Sequence, residues 1–313
     1  MPYNSIIDRT DAGALIPESV SKEIVQGIPQ QSAALSLLKK LPNMSRKQQR
    51  MPVLSSLPIA YFVNGDNGLK QTSKVDWSNK YINAEELAVI VPVPESVLDD
   101  VDYDIWAEIK PLLIQAFGQA IDGAVFFGVN APAAWPTAIV TAAAAAGNSV
   151  KLGTGSDIAD DIGNEDGIMA KVEACGFDVN GFAGDVSIKA KLRGLRTSTG
   201  ELIYQPSLQV GTPASLYGQP AFYPKNGVWN AATALLLCGD FDQAVYAMRQ
   251  DITYKVLSEA VIQDGAGNII YNLAQQDMVA LRAVMRLGWQ VPNPINAMKS
   301  VEATRYPFAV LVP

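Results

Sequence analysis

Asp157, Asp160, Asp161, Glu165 and Asp166 crowd one short stretch of the chain, and carboxylate oxygens are the hard donors that calcium and magnesium take. Their spacing does not follow the D-x-[DN]-x-[DN]-G pattern of a calcium loop, so they read as the solvated face of a helix. The glycine-rich pieces beside them, GTGS at 153–156 and GNEDG at 163–167, lack the Lys-Ser/Thr that completes a phosphate-binding loop and read as turns. Histidine is absent from all 313 residues. That removes Ser-His-Asp and Cys-His nucleophilic catalysis, His-ligated zinc and the usual neutral-pH proton carrier. No two carboxylates stand at a spacing that marks a hydrolytic pocket, so no catalytic residue, metal or cofactor is assigned and the chain is expected not to be an enzyme.

What remains chemically distinctive is cationic and aromatic. Lys70, Lys74 and Lys80 surround Trp77 in a polar stretch, and Arg282 and Arg286 occupy polar positions of an otherwise apolar run. These six are the candidates for contacts between subunits. The arginines are expected to pair with carboxylates of a neighbouring strand or subunit. Trp77, Trp106, Trp135, Trp229 and Trp289 are dispersed along the chain. They read as core or subunit-contact anchors, not as a stacking platform for single-stranded nucleic acid.

A composition of 49% hydrophobic and 18% charged residues belongs to an ordered chain with a sizeable core. The net charge of -7 and a pI near 4.8 oppose tight binding to bare phosphate backbones, so nucleic acid would be enclosed rather than gripped. Cys175 and Cys238 have no CxxC spacing and are too few for a disulfide framework; small core residues in a reducing compartment are expected. The opening residues hold Asp8, Arg9 and Asp11 and no apolar core, unlike a secretory signal, so a cytosolic product is expected. Positions 123–150 carry no charge, but Gly128, Asn130, Pro132 and Pro136 divide them into pieces too short to cross about 30 Å of hydrocarbon. No membrane partner is expected.

The elements that would position these residues begin with 277–291. There Val279, Leu281, Ala283, Met285, Leu287, Trp289 and Val291 alternate with positions that include Arg282, Arg286 and Gln290. A strand with one buried face reads this way, and about 14 residues at roughly 3.3 Å each would exceed the usual strand length. The three polar residues also fall at i, i+4 and i+8, so a helix with one polar stripe fits the same letters. Residues 99–128 read as a long helix with Ile105, Ile109, Leu112, Leu113, Ala116, Ala120 and Ala124 on one face. Glu108, Gln115, Gln119 and Asp122 lie on the other. Asp99, Asp100, Asp102 and Asp104 would favour its N-terminus, and Pro111 would kink it or mark its regular start.

A second helix is expected over 157–174. Apolar runs at 57–63 and 87–93 read as two strands joined by a long polar excursion with Asn64, Gly65, Asn67 and Gly68 as turn formers. A connection so long without its own core points to a functional or partner-bound loop. Residues 6–28 read as an arm entering a short helix capped by Ser19, and 31–41 fit a helix or a strand equally. Strands are expected at 243–248 and 252–256, with a turn at DGAGN, 264–268. No βαβ repeat is present, which gives the class α+β.

Taken in order, these pieces resemble the major capsid proteins of tailed bacteriophages, which have the Hong Kong 97-type fold. LIPESVSKEIV from Leu15 is similar to the family's N-terminal arm. IAYFVNGDNG through KVDWSNKYINAEELAVIVPVPESVLDD is similar to its extended E-loop and the strand leading to the spine helix, which ends in IDGAVFFG with Asp122 and Gly128. FDVNGFAGDVSIKAKLRGLRTSTGELIYQP resembles the A-domain, and GDFDQAVYAMRQDITYKV followed by VALRAVMRLGWQVPNPINA resembles the closing strands. The resemblance implies an N-terminal arm with a short helix over 1–52, an E-loop over 53–92 and a P-domain spine helix over 93–152. It further implies an A-domain over 153–238, P-domain strands over 239–291 and a C-terminal A-domain segment over 292–313.

It also implies self-assembly into pentamers and hexamers of an icosahedral shell that encloses double-stranded DNA, with arms and E-loops lapping neighbours. Localisation would be the virion capsid after assembly in the host cytoplasm; scaffolding would be either a separate protein or not required, and any portal and cement proteins would be separate partners. Two departures stand out. Many relatives carry a helical scaffolding extension ahead of the arm, whereas here Met1 is followed almost directly by it. Some relatives join an E-loop Lys to a P-domain Asn with help from a Glu. Aligning Arg286 with the family's Arg puts Asp277 at the Asn position and Val284 at the Glu position, so no autocatalytic cross-link is expected. An encapsulin-type nanocompartment would share the fold; a carboxylate-dependent hydrolase and a tail or adhesin protein are the rivals from other classes.

Overall fold

The structure is a computed structural model that describes residues 32–63, 68–100, 105–195 and 215–313. The arm and the Ser19-capped helix lie outside them, as do Asn64, Gly65, Asn67, Asp102 and Asp104. The chain runs through α1 (Ala33–Leu37), β1 (Lys39–Lys40), β2 (Gln48–Leu54), β3 (Trp77–Asn83), β4 (Glu85–Pro94), α2 (Glu95–Asp100) and α3 (Ile105–Asp122). Next come α4 (Ile139–Ala145), β5 (Ser149–Lys151), α5 (Ile158–Gly163), α6 (Ile168–Ala174), β6 (Gly181–Gly184), α7 (Ile188–Arg193), β7 (Ser215–Leu216), β8 (Gln219–Phe222) and β9 (Leu236–Gly239). Then follow β10 (Val245–Leu257), β11 (Val261–Gln263), β12 (Ile269–Asn272), β13 (Met278–Gln290) and β14 (Phe308–Val312).

The alternating segment is a strand. β13 and β10, each 13 residues long, pair antiparallel in the middle of a four-stranded sheet ordered β1-β10-β13-β4. Leu281, Ala283, Met285, Leu287 and Trp289 are all buried along one face of β13, which decides the register. Where the sequence predicts two strands, β10 is continuous, with register shifts between Met248 and Gln250 and between Gln250 and Thr253. Bulges absorb the break in alternation that makes it look divided. β4 lies at the sheet edge, where Pro92 and Pro94 need no ladder partner on the outer side.

The long-helix expectation needs two corrections. Asp99 and Asp100 belong to α2, and α3 is described from Ile105 onward with Pro111 inside it. Its buried side runs through Leu113 and Phe117, against Leu281 and Ala283 of β13, and on to Ile121, which joins the cluster of Met285, Leu287 and Trp289, while Leu112 is exposed. Apolar residues occur on more than one side of α3, so periodicity alone does not single out the packed stripe. Asp122, assigned to the polar face, is buried. After Asp122 the coil widens into a π-helical turn (Gly123–Phe127), and Gly128 ends it at φ +73°, donating to the carbonyls of Ala124 and Gly123. A left-handed residue at this position is what glycine supplies at least cost.

Strands β5-β14-β9-β6-β8-β7 form a six-stranded sheet that separates two cores. Phe308 and Val310 of β14, Leu237 of β9 and Ala183 of β6 face α4 and the π-turn. Their neighbours Ala309, Leu311, Leu236, Cys238 and Phe182 face α5, α6 and α7. Both cysteines are free and buried. The single helix expected over 157–174 is broken into α5 and α6 at 164–167. The chain doubles back so tightly there that a Cβ on Gly167 would lie 2.7 Å from the Ile162 carbonyl. Among the described residues no helix is long and apolar enough to cross a membrane.

Candidate functional site

The apolar run 57–63 is not a strand. The hairpin strands flank it: β2 pairs antiparallel with β3 from Gln48↔Asn83 to Leu54↔Trp77, and 55–63 and 68–76 continue beyond without regular structure. Ties across this extension are sparse among the described residues. Ser55 and Ser56 donate to the Asp76 carbonyl, Ile59 N–H donates to Ser73 Oγ at 2.8 Å, and the Tyr61 hydroxyl donates to the Gln71 carbonyl. Phe62 stands fully in solvent, and Ile59, Leu69 and Trp77 are 76%, 91% and 68% exposed. Burying one such side chain stabilises by about 1.5–3 kcal/mol, so the surface is poised for a partner.

The root of this hairpin is clamped. β3 crosses the sheet at Gly288, where a Cβ would meet the Asn83 carbonyl oxygen at 2.3 Å. Glycine is required for that approach. Beside it, Gln290 Nε2 donates to the Tyr81 carbonyl at 3.0 Å, Trp135 Nε1 donates to the Asn83 carbonyl at 3.1 Å, and Ile82 is fully buried. The loop between β13 and β14 grips the hairpin from a second side. Ile295 N–H donates to the Leu54 carbonyl, and Lys80 Nζ lies 2.5 Å from Glu302 Oε1. Buried Arg305 stiffens that loop by donating to the carbonyls of Asn293, Lys299 and Ser300, and burial lowers its pKa.

The six candidates are therefore spread over two regions. Lys70 is exposed with no ion pair among the described residues, and Lys74 pairs locally with Asp76 at 2.7 Å. Trp77 opens β3 on the exposed part, while Lys80 is tied to its own chain through Glu302. Arg286 stands opposite Glu86 in the β13/β4 register and donates to Glu86 Oε2 through Nε at 2.8 Å, so its partner carboxylate is on the neighbouring strand. Arg282 sits between Lys255 and Ile90 with no carboxylate in reach among the described residues.

The part played by Asp122 escapes the sequence reading, which places it on the polar face of the helix and, by resemblance, at the helix end. Asp122 accepts from Ser32 Oγ at 2.5 Å, from Ala33 N–H and Ala34 N–H at 2.9 Å each, and from Asn226 Nδ2 at 2.6 Å. It thereby holds the first turn of α1, which follows the N-terminal segment, against the end of α3. Burial raises its carboxyl pKa, while the Ser32, Ala34, Ala33 and Asn226 hydrogen bonds oppose the rise. The helix pattern gives no sign of this, since aspartate on an amphipathic helix is normally a solvent-facing residue. Gly288 does carry a signal, a lone glycine inside an alternating strand.

Asp161 acts locally, its two oxygens accepting from Gly153 N–H at 2.7 Å and Gly155 N–H at 2.6 Å and so fixing the GTGS turn. The root of the hairpin is tied to the sheet while its extension presents exposed apolar side chains, a surface of the kind that docks protein. The chain belongs to the phage capsid family, which matches residues 12–302. It is 28% identical over 311 residues to the major capsid protein of Staphylococcus phage 80alpha, covering 97% of this chain and 90% of that protein. A solved structure from Microbacterium phage Oxtober96 is 40% identical with a TM-score of 0.86 over 99% of this chain and 100% of that one. One from Mycobacterium phage Cain is 32% identical with a TM-score of 0.84 over 99% of each chain. These similarities favour the phage-capsid reading over the encapsulin-type compartment and the hydrolase.

Proposed function

We propose that this chain is the major capsid subunit, self-assembling into pentamers and hexamers of an icosahedral shell around double-stranded DNA. The observation that carries this reading is the hairpin extension: Ile59, Phe62, Leu69 and Trp77 are exposed on a flap whose root is fixed by Gly288, Gln290 and Lys80. A flap tied at its base and carrying exposed apolar side chains on both limbs suits a neighbouring copy. Heterologous contacts of that kind, repeated by rotation, close into rings.

In this reading the fold is Hong Kong 97-type. The hairpin is the E-loop, α3 with the four-stranded sheet is the P-domain, and the six-stranded sheet with α4 to α7 is the A-domain. Lys70, Lys74 and Trp77 face adjacent subunits, and Arg282, unpaired within the described part of its own chain, takes a carboxylate from one. The role is structural, with no chemistry of its own. An acidic chain of net charge -7 lets packaged DNA slide along the wall. Electron microscopy of the purified protein should show round, closed particles of uniform diameter. A monodisperse monomer under all assembly conditions would contradict the proposal.

A further inference from the structure

One end of the six-stranded sheet gathers Lys189, Arg193 and Lys225 with the carboxylate of Asp185 beside them, and the other gathers Asp178, Asp240 and Asp242. β6 and β8 are parallel neighbours, pairing Phe182↔Ala221 and Ala183↔Phe222, so the residues that follow them emerge at the same end. There Lys189 Nζ sits 4.3 Å from the centre of the Tyr223 ring. Arg193 lies one turn along α7, with its Nε donating to the Lys189 carbonyl, and exposed Lys225 follows Tyr223. Lys225 and Arg193 add to desolvation in lowering the Lys189 pKa, as expected of three cations sharing one patch.

At the other end, β9 finishes at Gly239 opposite Gly181, where β6 begins. Asp178, Asp240 and Asp242 gather there around Asn180, whose Nδ2 donates to Asp240 Oδ1 at 2.9 Å and to Asp242 Oδ2 at 3.3 Å. Asp178 and Asp242 are exposed. The ion pairs among the described residues are Lys47–Glu85, Lys74–Asp76, Lys80–Glu302 and Arg286–Glu86. None involves either pole. Strands of four residues separate the two poles, about 13 Å at 3.3 Å per residue, too far for them to pair within one copy.

We infer that the basic pole, Lys189, Arg193 and Lys225, docks on the acidic pole, Asp178, Asp240 and Asp242, of the next copy of this chain. The inference rests on the capsid reading and adds to it which surfaces of neighbouring subunits meet. A head-to-tail contact between unlike ends of one sheet is heterologous and closes into a ring on repetition. Complementary charge at such a seam fixes register and rejects the wrong juxtaposition. Double-stranded DNA is the competing occupant of a basic patch. The opposite pole on the same sheet and the overall acidity of the chain favour a second copy.

The test uses three variants of the full-length protein: Lys189→Glu with Lys225→Glu, Asp178→Lys with Asp242→Lys, and the combination of all four. Circular dichroism and thermal unfolding establish that each folds. Each double variant should lower the yield of rings and shells at low salt by about tenfold or more, because like charges then face each other at the seam. The fourfold variant, with its poles exchanged, should restore assembly. Normal assembly of both double variants would overturn the seam while leaving the capsid reading intact. So would loss that the fourfold variant does not restore, or intact shells whose only defect is weaker binding of a double-stranded DNA fragment. If the unmodified protein forms no particles under any assembly conditions, with or without a scaffolding protein, the capsid reading fails and the seam falls with it.

Discussion

Ser32 and Asp122, 90 positions apart, are joined by a 2.5 Å hydrogen bond inside the protein. The carboxylate also takes the N–H groups of Ala33 and Ala34, so the start of α1 is capped by a residue at the end of α3. Asp122→Ala would leave two backbone donors, the Ser32 hydroxyl and the Asn226 amide without their acceptor. Stability should fall by about 3 kcal/mol or more, read as a lower denaturant midpoint.

The same residue has a signed pH signature. Burial holds its pKa above the ordinary 3.8, so between those two values the folded protein binds more protons than the unfolded chain. The contribution of Asp122 to stability is then fully present below 3.8 and declines as pH rises through the raised value. Asp122→Asn should flatten that part of the profile. Unfolding midpoints of the two proteins, measured across mildly acid pH, should converge toward neutrality from the unmodified protein's side; parallel profiles would exclude Asp122 as the source.

Gly288→Ala places a methyl 2.3 Å from the Asn83 carbonyl oxygen and 2.7 Å from its carbon. Backbone cannot give way as a flexible side chain can, so β3 must lift from the sheet. Thermal unfolding should register a loss of about 1–3 kcal/mol, and the Gln290 to Tyr81 contact should go with it.

Arg286 and Glu86 form a cross-strand ion pair with 38% and 47% of their side chains exposed. At that exposure a pair contributes under about 1 kcal/mol. Glu86→Gln should therefore leave the unfolding midpoint nearly unchanged in moderate salt. A large loss would mean that the pair carries weight in the assembly.

Denaturing electrophoresis of mature particles should give one band at the 33.5 kDa monomer. Val284, which the family resemblance sets against the helper glutamate, is buried on β13, and Lys80 is engaged by Glu302. A ladder of covalent oligomers would contradict this.

Period two is a signal where one face is buried, and β13 shows it from Val279 to Trp289, although Arg282, Arg286 and Gln290 at i, i+4 and i+8 fit a helix as well and only the structure decides. β10 does not read as one strand, since its bulges interrupt the alternation. The hairpin strands are misplaced by the sequence pattern because the apolar letters at 57–63 lie exposed and outside any strand, whereas a pattern search takes apolar runs for core. Partners separated by long stretches of sequence, Asp122 with Ser32 and Lys80 with Glu302, leave no local trace at all. Arg286 does stand beside a carboxylate of the adjacent strand, as expected, because cross-strand pairing follows from register.

The central claim is that the apolar flap is covered only by another copy. Cys175 and Cys238 are fully buried and are the chain's two cysteines, so Phe62→Cys introduces a single reactive thiol on the flap. Maleimide labelling should be fast in dissociated subunits and strongly slowed in assembled shells. Equal labelling rates in the two states would contradict the account.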